Sequence, residues 1–227
     1  MTEGDADSAG LHTAAQEPAE AAAVARSVAA LLRADPVAGA HLRAGDRTVI
    51  GVAGESGSGK STTAVALARE FAGEGLPAVV LYQDDYFIRP PRTNHEHRLR
   101  DITAVGPHEV DLARLASHVE AFRAGRDGVA VPAVDYRGNA FRTRAVDFGG
   151  VRVLVVEGTY VLTLPGLDVR VFLAATYQDT RARRVARARD VDSPFVERVL
   201  GIEHEVIRRQ VEVADVVIDR EFRVRRG

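Results

Sequence analysis

Two kinds of hydrophobic pattern alternate along the chain. Short runs of consecutive apolar, largely β-branched residues are typical of strands buried on both faces, and longer segments with apolar residues every three or four positions are typical of amphipathic helices. Strands that alternate with helices predict an α/β fold, namely a three-layer αβα sandwich around a mostly parallel sheet. The predicted strands are 48–53, 76–82, 151–156, 168–174 and 213–218, and the predicted helices are 19–34, 61–71, 110–125, 178–189 and 194–211.

The segment before the first predicted helix has no such periodicity. Residues 1–18 are small, polar and acidic, so we expect a mobile tail and assign it no function. Helix 194–211 has a clear start, because Pro194 stands at the first helical position and Ser193 can cap it. We expect residues 19–227 to form a single domain without internal repeats.

The composition agrees with one globular domain that has a substantial core. The chain has 227 residues, 46% of them hydrophobic, and contains no cysteine, which excludes disulfides and thiolate metal sites. A formal net charge of −2 gives no global basic field, so we expect a small-molecule partner and neither nucleic acid nor a membrane. No signal-peptide pattern follows Met1, so a cytoplasmic location is the expectation.

One glycine-rich segment matches the phosphate-binding pattern G-x-x-x-x-G-K-[ST] at every defined position. It lies between strand 48–53 and helix 61–71, an order that surrounds an anion with backbone N–H groups and the positive end of a helix dipole. Lys60 is the only lysine among 30 basic side chains, and its mobile point charge can follow a phosphoryl group. The fold is therefore expected to be of the P-loop type, and a glycine-rich turn without a ligand is the alternative. The predicted nucleotide-binding residues are Gly54, Glu55, Ser56, Gly57, Ser58, Gly59, Lys60, Ser61 and Thr62.

Two acidic positions follow predicted strands, at the sheet edge where the phosphate-binding loop should lie. Asp84 follows strand 76–82 and is a candidate general base, since a kinase that acts on an alcohol needs a carboxylate near the acceptor hydroxyl. Glu157 follows strand 151–156 and is a candidate for holding a magnesium-bound water, with Ser61 offering its hydroxyl to the metal. The alternatives are a polar turn or helix cap for Asp84 and a strand-terminal acid without a metal role for Glu157.

Five arginines lie on predicted helix 178–189. Arginines that close over a transferred phosphoryl group would neutralise its charge and exclude water, so residues 181–194 are a candidate lid. In an arginine-rich chain, a solvated helix face is the alternative for each of them. The five are Arg181, Arg183, Arg184, Arg187 and Arg189.

Three histidines, His95, His97 and His108, lie in the stretch after Asp85. Since His-x-His occurs in loops without metal and no cysteine assists, a zinc site is disfavoured and contact with the substrate is expected instead. Segments 86–111 and 135–144 should set specificity. The predicted substrate-binding residues are Asp85, Tyr86, Phe87, His108, Asp135, Tyr136 and Asn139.

Taken together, these features resemble the uridine kinase and phosphoribulokinase family of P-loop kinases. The resemblance covers residues 48–219 and implies ATP and Mg2+ as cofactors. By that resemblance Asp84 corresponds to the catalytic base, Lys60 and Ser61 to the phosphate and magnesium residues, and Arg184 and Arg187 to the lid arginines. Besides the phosphate-binding loop, the matching motifs are 83–87, 155–158, 179–187 and 214–218.

The departures from the family pattern fall at the acceptor site. The family has an aspartate that binds the ribose hydroxyls where this chain has Val105, which cannot accept those hydrogen bonds. It has a histidine that reads the pyrimidine where this chain has Asn139, and its R-G-R stretch is replaced by 192–194. The donor half is intact, while uridine itself is in question.

We therefore expect an ATP- and Mg2+-dependent kinase that phosphorylates a hydroxyl of a small metabolite. A nucleoside is the leading acceptor class, and a sugar, a pantothenate-like acid or a secondary metabolite is the alternative. A nucleotide-dependent switch protein is a further alternative, although a guanine-reading N-K-x-D is impossible because Lys60 is the only lysine. Homo-oligomerisation is left open, because no motif indicates an interface.

Overall fold

The computed structural model describes residues 19–186 and 193–227. Its centre is a six-stranded sheet in the order β2-β5-β1-β6-β7-β8, in which every neighbouring pair is parallel except β7 and β8. The predicted α/β class is confirmed. The strands of this sheet are β1 Thr48–Gly54, β2 Ala78–Tyr82, β5 Val153–Gly158, β6 Val169–Leu173, β7 Val216–Ile218 and β8 Val224–Arg226.

Helices cover both faces of the sheet and enclose two apolar clusters. One cluster lies between the sheet and α1 to α3, and the other lies between the sheet, α5 and the end of α7. Each central strand therefore contributes apolar side chains to both faces, which explains its continuous apolar run. The helices are α1 Ala19–Ala34, α2 Ala38–Ala44, α3 Lys60–Gly73, α4 Pro91–Arg100, α5 Leu112–Arg123, α6 Arg181–Ala186 and α7 Pro194–Ile207.

The strand order brings three chain segments to one edge of the sheet. β5 lies between β1 and β2, and its last residues pair with both of them: Glu157 is opposite Val52 on one side and Tyr82 on the other. Because all three strands are parallel, their carboxyl ends meet at the same edge. The segments that follow β1, β2 and β5 are therefore neighbours.

Two elements near this edge were missed by the sequence analysis. One is an antiparallel hairpin of β3 Val129–Asp135 and β4 Ala140–Val146, which forms a separate two-stranded sheet. Most side chains of β4 are exposed, so its sequence carries little hydrophobic alternation. The other is α4, which has a single buried residue, Asn94, and no apolar stripe. Hydrophobic periodicity cannot find α4, and the hairpin contributes only a few buried apolar residues, such as Val131 and Val146, to the core.

Several predicted boundaries were wrong by a few residues. The helix predicted at 110–125 spans only α5, because the side chain of Asp111 caps its first turn by accepting the N–H of Arg114. The helix predicted to start at 178 begins at Arg181, after a turn in which Asp179 accepts the N–H of Thr176. The helix predicted to reach 211 ends at Ile207, and a 3-10 helix, Arg208–Val213, delays the last predicted strand until Val216.

Two predictions lie outside the described residues: the tail 1–18 and residues 187–192 of the candidate lid. Within the part of the chain that the structure describes, no helix is long and apolar enough to span a membrane.

Candidate active site

The loop between β1 and α3 has the shape of an anion cradle. Gly57 and Gly59 have φ values of 76° and 97°, a left-handed backbone that glycine adopts without strain, and α3 begins immediately afterwards at Lys60. A Cβ on Gly57 would lie 2.7 Å from Cγ of Arg184, so this position also has no room for a side chain. The loop thus turns sharply just before the N-terminus of α3, a backbone arrangement that can bind an anion.

Glu157 lies beside this loop at the end of β5. The hydroxyl of Ser61 donates to its Oε1 at 3.1 Å, while Oε2 is buried without a hydrogen-bond partner among the described residues. Burial raises the pKa of Glu157 to about 7, although Lys60 opposes the rise and Asp84 adds to it. An orphaned carboxylate oxygen next to a hydroxyl fits the hard oxygen ligands that Mg2+ or its bound water would take. The predicted pair of Ser61 and Glu157 is therefore brought together.

Asp84 and Asp85 lie on a 3-10 helix that follows β2 directly. Asp84 is exposed, and its charge acts on the pKa of Glu157, so it lies on the same edge as the loop. Asp85 is largely buried, which raises its pKa, and its Oδ1 accepts the N–H of Val134 at 2.8 Å. Of the two, Asp84 is free to meet an acceptor, whereas Asp85 attaches the β3–β4 hairpin to the site.

The next two residues predicted to bind substrate have different surroundings. Tyr86 is 2% exposed, and its Oη lies 2.7 Å from Nδ1 of His118. Burial raises the pKa of Tyr86 above its ordinary range. Phe87 is partly exposed, and the guanidinium of Arg98 lies over its ring. The structure thus places Tyr86 in the core and Phe87 at the margin of the site.

The hairpin residues predicted to bind substrate are engaged in local structure. Asp135 accepts hydrogen bonds from Gly138 and Arg142, and Tyr136 is exposed. Asn139 has a left-handed backbone, with φ 51°, and its side chain accepts the N–H of Arg92 at 2.7 Å. The hairpin tip is therefore clamped to the start of α4.

The histidines do not form a metal site. His95 packs edge-on against the ring of Phe195, and His108 lies over Gly106. Among residues 19–186 and 193–227, no group of three or more histidine, cysteine, aspartate or glutamate side chains could hold a metal ion.

A buried ion network beside the site was missed entirely. Arg98 donates two hydrogen bonds of 2.7 Å to the carboxylate of Glu109 and a third, of 2.9 Å, to Oε1 of Glu203. Glu109 also accepts from Asn94 and from the N–H of Gly106. Burial raises the pKa of Glu203, while Arg98 and, more weakly, the charge of Lys60 oppose the rise. An arginine in α4 and acids at 109 and 203 carry no sequence signal of their own.

Arg184 is brought against the phosphate-binding loop. Only 4% of its side chain is exposed, and its Nη2 donates to the carbonyl oxygen of Tyr177 and to Glu197. Its Nε is buried without a partner among the described residues. An unpaired, charged N–H next to the loop is what a phosphate oxygen would satisfy. The other predicted lid arginine, Arg187, lies outside the described residues.

The sequence analysis also missed Phe222, in the turn after β7. Its backbone is left-handed, with φ 60°, which is an outlier for a bulky side chain. Asp219 holds the turn by accepting the N–H groups of Glu221 and Arg223. The ring lies within van der Waals distance of the place that a Cβ on Gly59 would occupy. Phe222 thus borders the phosphate-binding loop on the side away from Asp84.

The comparison with protein families gives one match that covers most of the chain. The model of the phosphoribulokinase / uridine kinase family matches residues 49–224. This range includes the phosphate-binding loop, the acidic edge and the turn that carries Phe222.

Individual relatives and solved structures carry several names. The chain is 33% identical over 190 residues to the bifunctional alpha-galactosidase/sucrose kinase AgaSK of Mediterraneibacter gnavus, a match that covers 78% of the chain but only 20% of that protein. It is 28% identical over 144 residues to a uridine kinase of Macrococcus caseolyticus, covering 62% of the chain and 68% of the relative. A putative fructose transport system kinase from Silicibacter sp. TM1040 superposes with a TM-score of 0.58 at 26% identity, covering 86% of this chain and 94% of the other.

Proposed function

Because this chain belongs to the phosphoribulokinase / uridine kinase family, whose members use ATP with Mg2+, we propose that it transfers the γ-phosphoryl group to a hydroxyl of a neutral, polyhydroxylated small molecule, with a sugar as the leading acceptor. The proposal has a donor half, which concerns named residues at the nucleotide, and an acceptor half, which concerns the substrate class.

In the donor half, each side chain has a role that its position supports. The loop N–H groups and Lys60 bind the phosphates, and Arg184 meets the moving phosphoryl group through its unpaired Nε. Asp84 orients the acceptor hydroxyl and takes its proton. Ser61 and Glu157 would hold Mg2+ or its bound water, and the cation supplies charge neutralisation on the nucleotide phosphates.

Phe222 extends the donor half towards the nucleotide base. Its ring borders Gly59 at the start of α3, and its strained backbone is held by Asp219. Strain of this kind persists only where surrounding contacts enforce it, and it concentrates at binding sites. We assign the ring to contact with the adenine of ATP, as a flat apolar surface on which a base can stack.

The acceptor half rests on one observation: segment 105–109 offers no free carboxylate to a ribose. Val105 is buried, and Glu109 is saturated by hydrogen bonds from Arg98, Asn94 and Gly106. The amide of Asn139, at the family's base-reading position, is bound to α4. A site for a pyrimidine nucleoside would need both positions free.

The charges around Lys60 favour a neutral acceptor. Asp84 and Asp85 follow β2 and add to the rise in the pKa of Glu157, and Glu203 on α7 is within range of the charge of Lys60. With these carboxylates near the bound nucleotide, an acidic or phosphorylated acceptor would be repelled. Hydroxyl groups, by contrast, donate well to carboxylates. Only one oxygen of Glu203 is taken by Arg98, so we assign the other to an acceptor hydroxyl.

The names of the relatives support this choice without deciding it. AgaSK is described as a sucrose kinase and the Silicibacter protein as a putative fructose transport system kinase, and both are at least 26% identical to this chain. Uridine kinases at 28% identity make a pyrimidine nucleoside the second candidate.

A panel of acceptors tests the proposal. ADP formation is measured with ATP and Mg2+ for sucrose, fructose, glucose, uridine, cytidine, glycerate and pantothenate, and the product is identified by mass spectrometry. We expect a neutral sugar to exceed the nucleosides and acids in kcat/KM by at least about tenfold, and Lys60→Ala to abolish turnover. Preferred turnover of uridine or cytidine would overturn the acceptor half and keep the donor half. Binding of ATP without any transfer would favour a nucleotide switch instead.

A further inference from the structure

Glu55 is an unexpected residue for a loop that binds phosphate. It occupies the second position of the motif, and a carboxylate beside the N–H groups of an anion cradle would repel the ligand if it faced the same way. In the structure it is 4% exposed, and both oxygens are engaged elsewhere: Oε2 accepts the N–H of Tyr177 and Oε1 lies 2.7 Å from Nδ1 of His204. Its charge is therefore directed towards the segment before α6 and towards α7.

Tyr177 connects this carboxylate to Arg184. The carbonyl oxygen of Tyr177 accepts from Nη2 of Arg184 at 3.2 Å, and its ring lies against that of His204, with 5.9 Å between ring centroids. Tyr177 is thus held at its N–H by the phosphate-binding loop and in turn holds the guanidinium at its carbonyl. The path from loop to guanidinium passes through one residue.

Thr180, just before α6, and Arg184, on α6, contact the phosphate-binding loop at two further points. The hydroxyl of Thr180 donates to the carbonyl oxygen of Ser56 at 2.8 Å, and Cγ of Arg184 lies 2.7 Å from the place that a Cβ on Gly57 would occupy. Glu197 on α7 holds Nη2 of Arg184 from the other side, at 2.9 Å. These contacts fix the guanidinium beside the loop and leave Nε without a partner among the described residues. The Arg184 guanidinium is therefore held in place before the reaction. Little free energy is needed to orient its N–H group when the phosphoryl group is transferred.

We infer that Glu55, paired with His204, is a positioning residue that holds Arg184 at the phosphate-binding loop, so that its Nε can meet the transferred phosphoryl group. The residue acts through Tyr177 and touches no substrate. The inference concerns the donor half alone, so it stands or falls independently of the acceptor.

The test uses ligands that need no acceptor. ADP with Mg2+ and aluminium fluoride imitates the phosphoryl group in transfer, whereas ADP with Mg2+ alone does not. For Glu55→Gln we expect affinity for the aluminium fluoride complex to fall about tenfold while affinity for ADP changes less than about twofold. Both affinities are measured by calorimetry on the full chain. Glu205→Gln is the matched control: it replaces an exposed acid on α7 whose carboxylate pairs with Arg208, in the 3-10 helix that follows, and it should behave as wild type.

Epistasis with Arg184 decides whether Glu55 acts through it. In an Arg184→Ala background, Glu55→Gln should cause no further loss of affinity for the aluminium fluoride complex. An equal loss in both backgrounds would overturn the inference, as would a lowered melting temperature without any change in the ratio of the two affinities. If Glu55→Gln does not fold, His204→Ala removes the partner of the other Glu55 oxygen and the ring that packs against Tyr177, and the same comparison with Arg184→Ala applies.

Discussion

Replacing Arg98 by alanine should destabilise the protein severely, because it leaves two buried carboxylates without their cation. The Arg98 side chain is 15% exposed and that of Glu109 only 1%. Three of its hydrogen bonds, of 2.7 to 2.9 Å, run to the carboxylates of Glu109 and Glu203. The variant removes the cation and leaves both carboxylates in a low-dielectric site.

The size of the effect follows from this burial. Breaking a buried ion pair by removing one partner costs about 3–5 kcal/mol, since the remaining charge is desolvated without compensation. In a domain of this size, each kcal/mol lowers the melting temperature by roughly 2–4 °C, so we expect a decrease of about 6–20 °C. Arg100→Ala, an exposed arginine on the same helix, is the matched control and should change the free energy of unfolding by less than about 0.5 kcal/mol.

The effect should depend on pH in a defined direction. Burial alone would raise the pKa of Glu109, but hydrogen bonds from Arg98 and Gly106 hold it below its ordinary value. A lowered pKa in the folded state gives stability that is present above the unfolded pKa and is lost as the pH falls through the folded pKa. In the variant, burial without Arg98 should raise the pKa of Glu109 instead. Its carboxylate then destabilises the folded state at neutral pH, and protonation at lower pH relieves this destabilisation.

Urea unfolding at pH 7 and at about pH 4 measures both points. The difference in unfolding free energy between wild type and Arg98→Ala should be largest at pH 7 and smaller at the lower pH. A difference below about 1 kcal/mol at pH 7, or one that does not change with pH, would refute the assignment of a buried, charged network.

Three further predictions concern the nucleotide and the reaction. Asp84→Asn should lower kcat about 10²- to 10⁴-fold with an unchanged Kd for ATP by calorimetry, because a proton acceptor is lost and no binding group is; near-normal turnover would remove Asp84 as the base. Glu157→Gln should raise the Mg2+ concentration needed for half-maximal activity, measured by Mg2+ titration at fixed ATP, since the orphaned Oε2 loses its charge; an unchanged titration would make Glu157 a strand-terminal acid only. Phe222→Ala should weaken ATP binding by roughly 0.5–1.5 kcal/mol without affecting inorganic triphosphate, because only the nucleotide has a base to stack; equal losses for both ligands would place the ring away from the base.

The sequence predicted which chain segments meet at the sheet edge, for a physical reason. Parallel strands deliver their carboxyl ends to one edge, so a motif after β1 and acids after β2 and β5 had to be neighbours once their strands were recognised. Ser61 and Glu157, 96 positions apart, are hydrogen-bonded as this rule implies.

Contacts that depend on tertiary packing of polar side chains could not be found in this way. Glu55 reaches Tyr177 and His204 across 122 and 149 positions, and Arg98 reaches Glu203 across 105. Glu55 was selected only as a member of the phosphate-binding motif, and nothing in the sequence links it to Tyr177 or His204; Arg98 and Glu203 lie neither at a strand end nor in a periodic stripe that would select them. Tyr86 illustrates the reverse case, since it neighbours Asp84 and Asp85 in sequence while the 3-10 turn directs its ring into the core.

The separate hairpin of β3 and β4 has a consequence for how such a kinase can change its substrate. The hairpin shares no strand pairing with the main sheet, and Asp85 and Asn139 attach it to the segment after β2 and to the start of α4, where the proposed function places the acceptor. Insertions or replacements in it therefore leave the pairing that aligns Lys60 and Glu157 unaltered. If the proposed function holds, natural variation or a laboratory library confined to the exposed residues of 129–146 can explore new acceptors while the strands that carry Lys60 and Glu157 keep their pairing.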